Sequence, residues 1–231
     1  MNFPSVFEWS AVDWYPIQLS LGVALVATAI AVLLGVSAGW LLARKHFPGK
    51  ELLDALLALP LVLPPTVLGY YLLVLLSTRS PLGQVFESVF GFRLIFTVPA
   101  AVLAAVLHGL PFMVKMVRGA MEDLDPASET AARTLGASEA RVFFTITLPL
   151  VRRSVLAATL LAFARALGDF GVTIMIAGNI PGRTQTAAVA IYDAVQAGRE
   201  NYALLLSVII SVLCVTILYS ANRLTASASR W

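Results

Sequence analysis

The stretch WYPIQLSLGVALVATAIAVLLGVSAGWLLA, Trp14–Ala43, decides the fold, because it contains no Asp, Glu, Lys or Arg at all. A bilayer core about 30 Å thick needs roughly 20 apolar residues in one helix, and this run exceeds that length. Ala55–Thr78, Leu94–Val114 and Asn201–Asn222 are equally free of charge, and Ser154–Ala177 carries only Arg165 and Asp169. The pattern predicts an all-α polytopic bundle of five membrane spans, at about residues 16–43, 53–77, 95–117, 154–177 and 202–221, in one domain covering 1–231. TQTAAVAIYDAVQAG, Thr184–Gly198, is too short and polar to cross, and predicts a helix lying near the membrane surface or dipping into the bundle.

Working outward, the whole chain of 231 residues is 59% apolar and only 13% charged, with a mean hydropathy of +0.85. Soluble domains carry about 25% charged residues, so this composition could not cover a water-facing surface. The 16 Lys and Arg against 13 Asp and Glu leave +3, too weak a balance to point to nucleic acid. Cys214 lies in an apolar run and can form neither an internal disulfide nor a cysteine metal site. The segment MNFPSVFEWSAVDWYP lacks the basic start of a cleaved signal peptide, so the first span is expected to be retained.

Short cytoplasmic loops carry the excess of Lys and Arg. One set of loops holds Arg44, Lys45, Lys50, Lys115, Arg118, Arg133, Arg141, Arg152, Arg153, Arg223 and Arg230, and the opposite set holds Arg79, Arg93, Arg183 and Arg199. The asymmetry predicts the N-terminus outside and the C-terminus in the cytoplasm. Trp9, Trp14 and Tyr15 fit an outer interfacial aromatic belt. Pro60, Pro64 and Pro65 in the second span, and Pro99 and Pro111 in the third, each remove a backbone donor and kink a helix. Such kinks either line a pathway or shape packing. No inverted repeat relates the two halves, which counts against common secondary-transporter designs.

The segment 118–153 is a long charged loop in a chain otherwise poor in charge. Asp125 and Pro126 read as a helix cap and first helical position, ASETAARTL continues as a helix, and Gly136 suits a left-handed turn. Ser138 then caps a second short helix through SEARVFFTIT, which Pro149 is expected to separate from the following span. Two short helices joined at a glycine, with the small Ala131 and Ala132 on the surface, make a knob that can enter a groove on another protein.

ETAARTLGASEARVFFTITLP resembles the coupling-loop signature of ABC importer permeases. In that signature Glu-Ala-Ala, three residues, Gly, nine residues, Ile, one residue and Leu-Pro recur. Ala131, Ala132, Gly136, Ile146, Leu148 and Pro149 occupy the expected positions, while Thr130 stands at the acidic position with Glu129 beside it. Together with PLVLPPTVLGYYLL and FARALGDFGVTIMIAGNIPGRTQTAAVAIY, the chain resembles the molybdate permease subunits of bacterial ABC importers over nearly its whole length. Asp169 replaces the glutamate usual in that family. Sulfate and thiosulfate permeases share the FAR segment, so NIPGRTQT and the short chain carry the distinction.

The resemblance implies the ABC importer permease (MetI-like) fold in a bacterial inner membrane. It implies a homodimer, two cytoplasmic ATPase subunits gripping the loop, and an external protein delivering molybdate, with tungstate not distinguished. A sulfate permease, or a stand-alone ion-coupled carrier or channel, are the alternatives. No phosphate-cradling G-x-x-x-x-G-K-[ST] motif is present, so ATP hydrolysis is expected in a partner and no cofactor or metal is expected here. His46 and His108 lack the spacing of a helical metal pair, and His108 reads as a hydrogen-bonded packing residue.

Arg165 and Asp169 are the ionisable residues well inside a span. A spacing of four places them on one face of a helix, close enough to pair, and the cost of charge at membrane depth turns them away from lipid. The pair either orients the span or, with Gly168 and Gly171 allowing a bend, forms part of a gate.

Overall fold

The computed structural model describes residues 13–226, with side chains through Arg223. Trp9 and Arg230 of the sequence reading lie outside these residues. The helices in chain order are α1 (Tyr15–Arg44), α2 (Lys50–Val62), α3 (Pro65–Leu75), α4 (Pro81–Phe90), α5 (Val98–Glu122), α6 (Ala127–Thr134), α7 (Glu139–Val142), α8 (Leu148–Leu167), α9 (Gly171–Ile176), α10 (Ala187–Gln196) and α11 (Glu200–Ala226). Among the described residues four helical runs are long and apolar enough to cross a membrane, and five if α2 and α3 count as one bent span.

Helix α1 is the axis of the bundle, packing on α5, which in turn packs on α8, and α8 on α11. Lipid tails are as apolar as leucine, so helices in a membrane associate through close van der Waals contact, which small residues permit. Ala27, Ala31, Gly35 and Gly39 recur every fourth residue and form a buried stripe on α1. Facing them are Ala100, Ala101, Ala104 and Ala105 of α5, followed by Met113 and Val117. A Cβ on Gly35 would stand 2.5 Å from Met113 Cγ, and one on Gly39 2.9 Å from Val117 Cγ1. The two backbones therefore approach as closely as they do only because both positions lack a side chain.

The expected second span, 53–77, is not one helix. It breaks between α2 and α3 with a bend of 114°. Pro64 and Pro65 cause the break, because a residue preceding proline is driven to extended backbone, and Leu63 and Pro64 have ψ of 138° and 135°. Pro99, by contrast, lies in the first turn of α5, where no intrahelical donor is lost. The expected span 154–177 is also displaced. The helical run starts at Glu139 and ends at Leu167, and Gly168–Phe170 separates it from the short α9.

Pro149 does not separate the second loop helix from the span, contrary to expectation. A π turn, Phe143–Thr147, joins α7 to α8, and the Leu148 amide donates to the Phe143 carbonyl, one residue further back than in an α-helix. An α-helical proline ring collides with the carbonyl four residues earlier. The wider turn removes that collision and lets the helix continue.

The Thr184–Gly198 stretch dips into the bundle. Its helix α10 packs between α1 and α11 with Ala187, Val189, Ala190 and Ala194 buried, and the Ser20 hydroxyl of α1 accepts from the Ala187 amide at 2.7 Å. The starts of α1 and α11 meet here too, through Tyr15 Oη donating to the Arg183 carbonyl and Tyr202 Oη to the Asp13 carbonyl.

The α1–α5 contact sets a test. Gly35→Leu is expected to overpack the interface at a cost of about 1–3 kcal/mol, seen as a lower thermal unfolding midpoint in detergent. Gly22→Leu, where nothing lies within 4 Å, is expected to leave the midpoint unchanged.

Candidate functional site

Two polar clusters stand out, and the first lies in the loop at the C-terminal end of α1. Asp125 Oδ1 accepts from the Ala127 amide at 2.9 Å and so caps α6. Gly136 closes that helix with φ +85°, in the left-handed region that residues with a Cβ resist. The Ala137 amide returns to the Ala132 carbonyl at 3.1 Å, the six-to-one bond of a Schellman turn. Ser138 Oγ accepts from the Arg141 amide and opens α7. Ala131 and Gly136 are exposed, and Leu135 presents 88% of its surface. Ile146 and Leu148 are half-buried beneath, and Pro149 is exposed.

Glu129 does not face outward as an acidic contact for a partner. It is 2% exposed and holds the loop to the bundle. Its Oε1 accepts from Arg44 Nη2 at 2.9 Å and Nε at 3.2 Å, and from Thr147 Oγ1 at 2.8 Å. Its Oε2 accepts from Arg133 Nη2 at 3.3 Å. Arg133 also reaches Glu139 at 2.7 Å, fastening α6 to α7 across the Gly136 turn. Thr130, at the acidic position of the signature, is exposed. Burial opposes ionisation of Glu129, but the Thr147 hydroxyl, Arg44 and Arg133 outweigh it and hold the carboxyl below its ordinary value of 4.5. Beside the loop, Trp40, Leu41, Ala140, Phe143 and Phe144 line an open apolar groove of about 410 Å³.

The second cluster sits at the break between α8 and α9, and here the expected Arg165–Asp169 pair does not form. The helix ends at Leu167, so a spacing of four no longer means one helix face. Asp169 is 3% exposed, and its Oδ2 accepts from Thr173 Oγ1 at 2.6 Å and from the Thr173 amide at 3.2 Å, capping the first turn of α9. His108 of α5 stands between the two charges. Arg165 Nη2 lies 2.7 Å from His108 Nε2. Guanidinium has only donors, so Nε2 accepts and the ring proton sits on Nδ1. That nitrogen is 3.2 Å from Asp169 Oδ1, but too poorly aligned for a hydrogen bond, and Oδ1 has no hydrogen-bond partner. The Arg165 guanidinium rests over the Phe112 ring, 4.9 Å from its centroid.

Gly171 is a site of close approach: a Cβ there would fall 2.5 Å from Pro65 Cβ of α3. Gly168 has an ordinary φ of −91° and is exposed. Helix α9 is tied at its other end by the Phe96 amide, which donates to the Ile176 carbonyl at 2.7 Å. Among the described residues no group of three His, Cys, Asp or Glu is placed to hold a metal ion.

Nothing local in the sequence points to Arg44 and Thr147 as partners of Glu129, or to His108 as the partner of Arg165. Arg44 and Glu129 are 85 positions apart, and no local pattern links them. Thr173, four residues after Asp169, was open to a capping reading once the helix is known to break.

Residues 31–230 match the model of the binding-protein-dependent transport system inner membrane component family. The chain belongs to this family. It is 45% identical over 210 residues to the molybdenum transport system permease protein ModB of Escherichia coli K12, covering 90% of this chain and 92% of that protein. Identity falls to 34% over 202 residues with the sulfate transport system permease protein CysW of a Synechocystis strain, covering 87% of this chain and 73% of that one. The fold is that of a chain in a bacterial alginate ABC transporter crystallised with its periplasmic protein, with a TM-score of 0.74, 17% identity, and coverage of 96% of this chain and 81% of that one. A chain of the inward-facing MetNI methionine ABC transporter superposes with a TM-score of 0.70, 16% identity and full coverage of both chains.

The Glu129 cluster predicts a pH dependence. A carboxyl whose folded value is depressed contributes stability above its unfolded value and loses that contribution as pH falls through the folded value. Thermal unfolding in detergent is therefore expected to show the parent losing stability more steeply than Glu129→Gln as pH drops below 4.5. At neutral pH, Glu129→Ala strands Arg44 and is expected to cost about 3 kcal/mol or more.

Proposed function

We propose that this chain is the membrane-spanning subunit of an ABC importer that carries molybdate into the cytoplasm. Its 45% identity to a molybdenum permease over nine-tenths of the chain is the observation that carries the reading. The knob formed by α6, α7 and the Gly136 turn supports docking of a partner ATPase, because Ala131, Leu135 and Gly136 are exposed and Glu129 ties its base to the bundle. The charge asymmetry of the loops supports a cytoplasmic knob, with the N-terminus outside and the C-terminus inside.

Two copies of the chain form a closed pair, because the described residues of one chain carry a single knob and at most five spans. An ATPase subunit grips each knob, through Ala131, Ala132, Leu135 and Gly136 and the exposed Thr130. A binding protein docks on the opposite end and delivers the oxyanion. ATP hydrolysis resides in the partner. When the two ATPases close, each knob moves as a unit with α1 and α8, since Glu129 ties α6 to Arg44 and Thr147. The break at Gly168–Phe170, with α9 leaning on α3, serves as the gate that this movement opens.

In proteoliposomes holding the permease with its ATPase and binding protein, ATP-driven uptake of labelled molybdate is expected, with sulfate a poor competitor. Preferred uptake of sulfate would reassign the cargo, and uptake without the ATPase would make the chain a stand-alone carrier. Gly136→Val places a β-branched residue at φ +85° and is expected to abolish transport-linked ATP hydrolysis. Native mass measurement is expected to find two permease chains per complex.

A further inference from the structure

We propose that Arg165 is the side chain that meets the oxyanion inside the translocation pathway, and that His108 is the positioning residue that presents it. The inference rests on the reading of the chain as an oxyanion importer subunit and adds the contact that recognises the cargo. Arg165 lies about 26 Å along α8 at 1.5 Å per residue, and Ala162, one turn before it, packs on Gly109 in the interior of α5. This is membrane depth, where a cation facing lipid is costly.

The side chain does not share the outer face of α8. Leu156, which is 51% exposed, stands nine residues earlier and so half a turn away. Ala158, seven residues earlier and on nearly the same face as Arg165, is fully buried in the cluster with Met113 and Val117 of α5. Arg165 nonetheless remains exposed. It therefore borders an opening beside α5 and not the flank of the helix on which Leu156 lies.

What holds it there leaves most of its capacity unused. One N–H goes to His108 Nε2 and the guanidinium plane rests on Phe112. Among the described residues no carboxylate oxygen lies within 4.0 Å of its nitrogens. The remaining donors form a fork whose geometry matches two oxygens of a tetrahedral dianion. Asp169 is kept on the far side of the imidazole with Oδ2 taken by Thr173. Its negative charge tempers the site without occupying the fork, which suits a pathway whose binding must be weak enough to release. The same imidazole lies beside the capping residue of α9, its Nδ1 3.2 Å from Asp169 Oδ1, so the anion contact and the broken segment meet at one side chain.

The test uses the complete importer in proteoliposomes. Arg165→Gln is expected to lower ATP-driven molybdate uptake about tenfold or more, as loss of a charge-assisted contact predicts, while Arg165→Lys retains more. Phenylglyoxal modification of Arg165, located by mass spectrometry, is expected to be slowed by molybdate and not by equal chloride. In His108→Ala the arginine still reacts, and the molybdate concentration that protects it is expected to rise several-fold, a change that mere loss of packing does not produce. Parental uptake by Arg165→Gln, or equal protection by molybdate and chloride, overturns the proposal, and the labelling of the parent decides it should Arg165→Gln fail to assemble. If the parent carries sulfate and not molybdate, the cargo reading fails, and the same labelling with sulfate as protectant still tests Arg165.

Discussion

Inside a bilayer no water is at hand to bond a free peptide N–H or C=O, and every interruption of a helix must be satisfied by the chain itself. That constraint explains where this molecule bends and where it does not. At Pro149 the helix continues, because the π turn gives the proline ring room. At Gly168–Phe170 it stops, and the side chain of Asp169 takes up the Thr173 amide at the start of α9. The broken elements α3 and α9 then lie against each other, with Gly171 on Pro65 and Gly69 on Met175, so both interruptions are sheltered by protein.

The continuous run from Glu139 to Leu167 follows from the same constraint, and it connects the two polar clusters. Thr147, within the π turn, donates to Glu129. Arg165, near the far end, meets His108. The loop is thus attached to the base of a rod whose far end carries Arg165 and the break before α9. The Glu129 carboxylate fixes the other edge of the loop to α1 through Arg44. Both clusters bury a carboxylate, yet they differ in its satisfaction. Glu129 has donors on both oxygens, whereas Asp169 has one oxygen without a hydrogen bond. A fully satisfied cluster rigidifies the joint it holds, whereas a buried oxygen left without a hydrogen bond is costly.

The small-residue seam between α1 and α5 supplies the frame for this arrangement. Alanine and glycine bring the helices close enough that dispersion substitutes for the hydrophobic effect, which lipid does not provide. Large apolar side chains such as Leu25, Leu33 and Leu204 point outward, the reverse of a soluble protein and the expected result when the solvent is hydrocarbon.

The sequence by itself determined the membrane class, the number of apolar runs, the loop with its caps at Asp125 and Ser138, and the left-handed turn at Gly136. Each depends on residues within a few positions of one another, where hydropathy and backbone preference act directly. Only the tertiary structure decided that Glu129 turns inward, that Arg165 meets His108 in place of Asp169, and that the runs 53–77 and 154–177 are broken or displaced. Those outcomes depend on which side chains distant in the chain arrive beside one another. A spacing of four implies a shared face only while the helix lasts. Whether it lasts at a glycine or a proline depends on whether a neighbouring element is present to satisfy the freed backbone and fill the space.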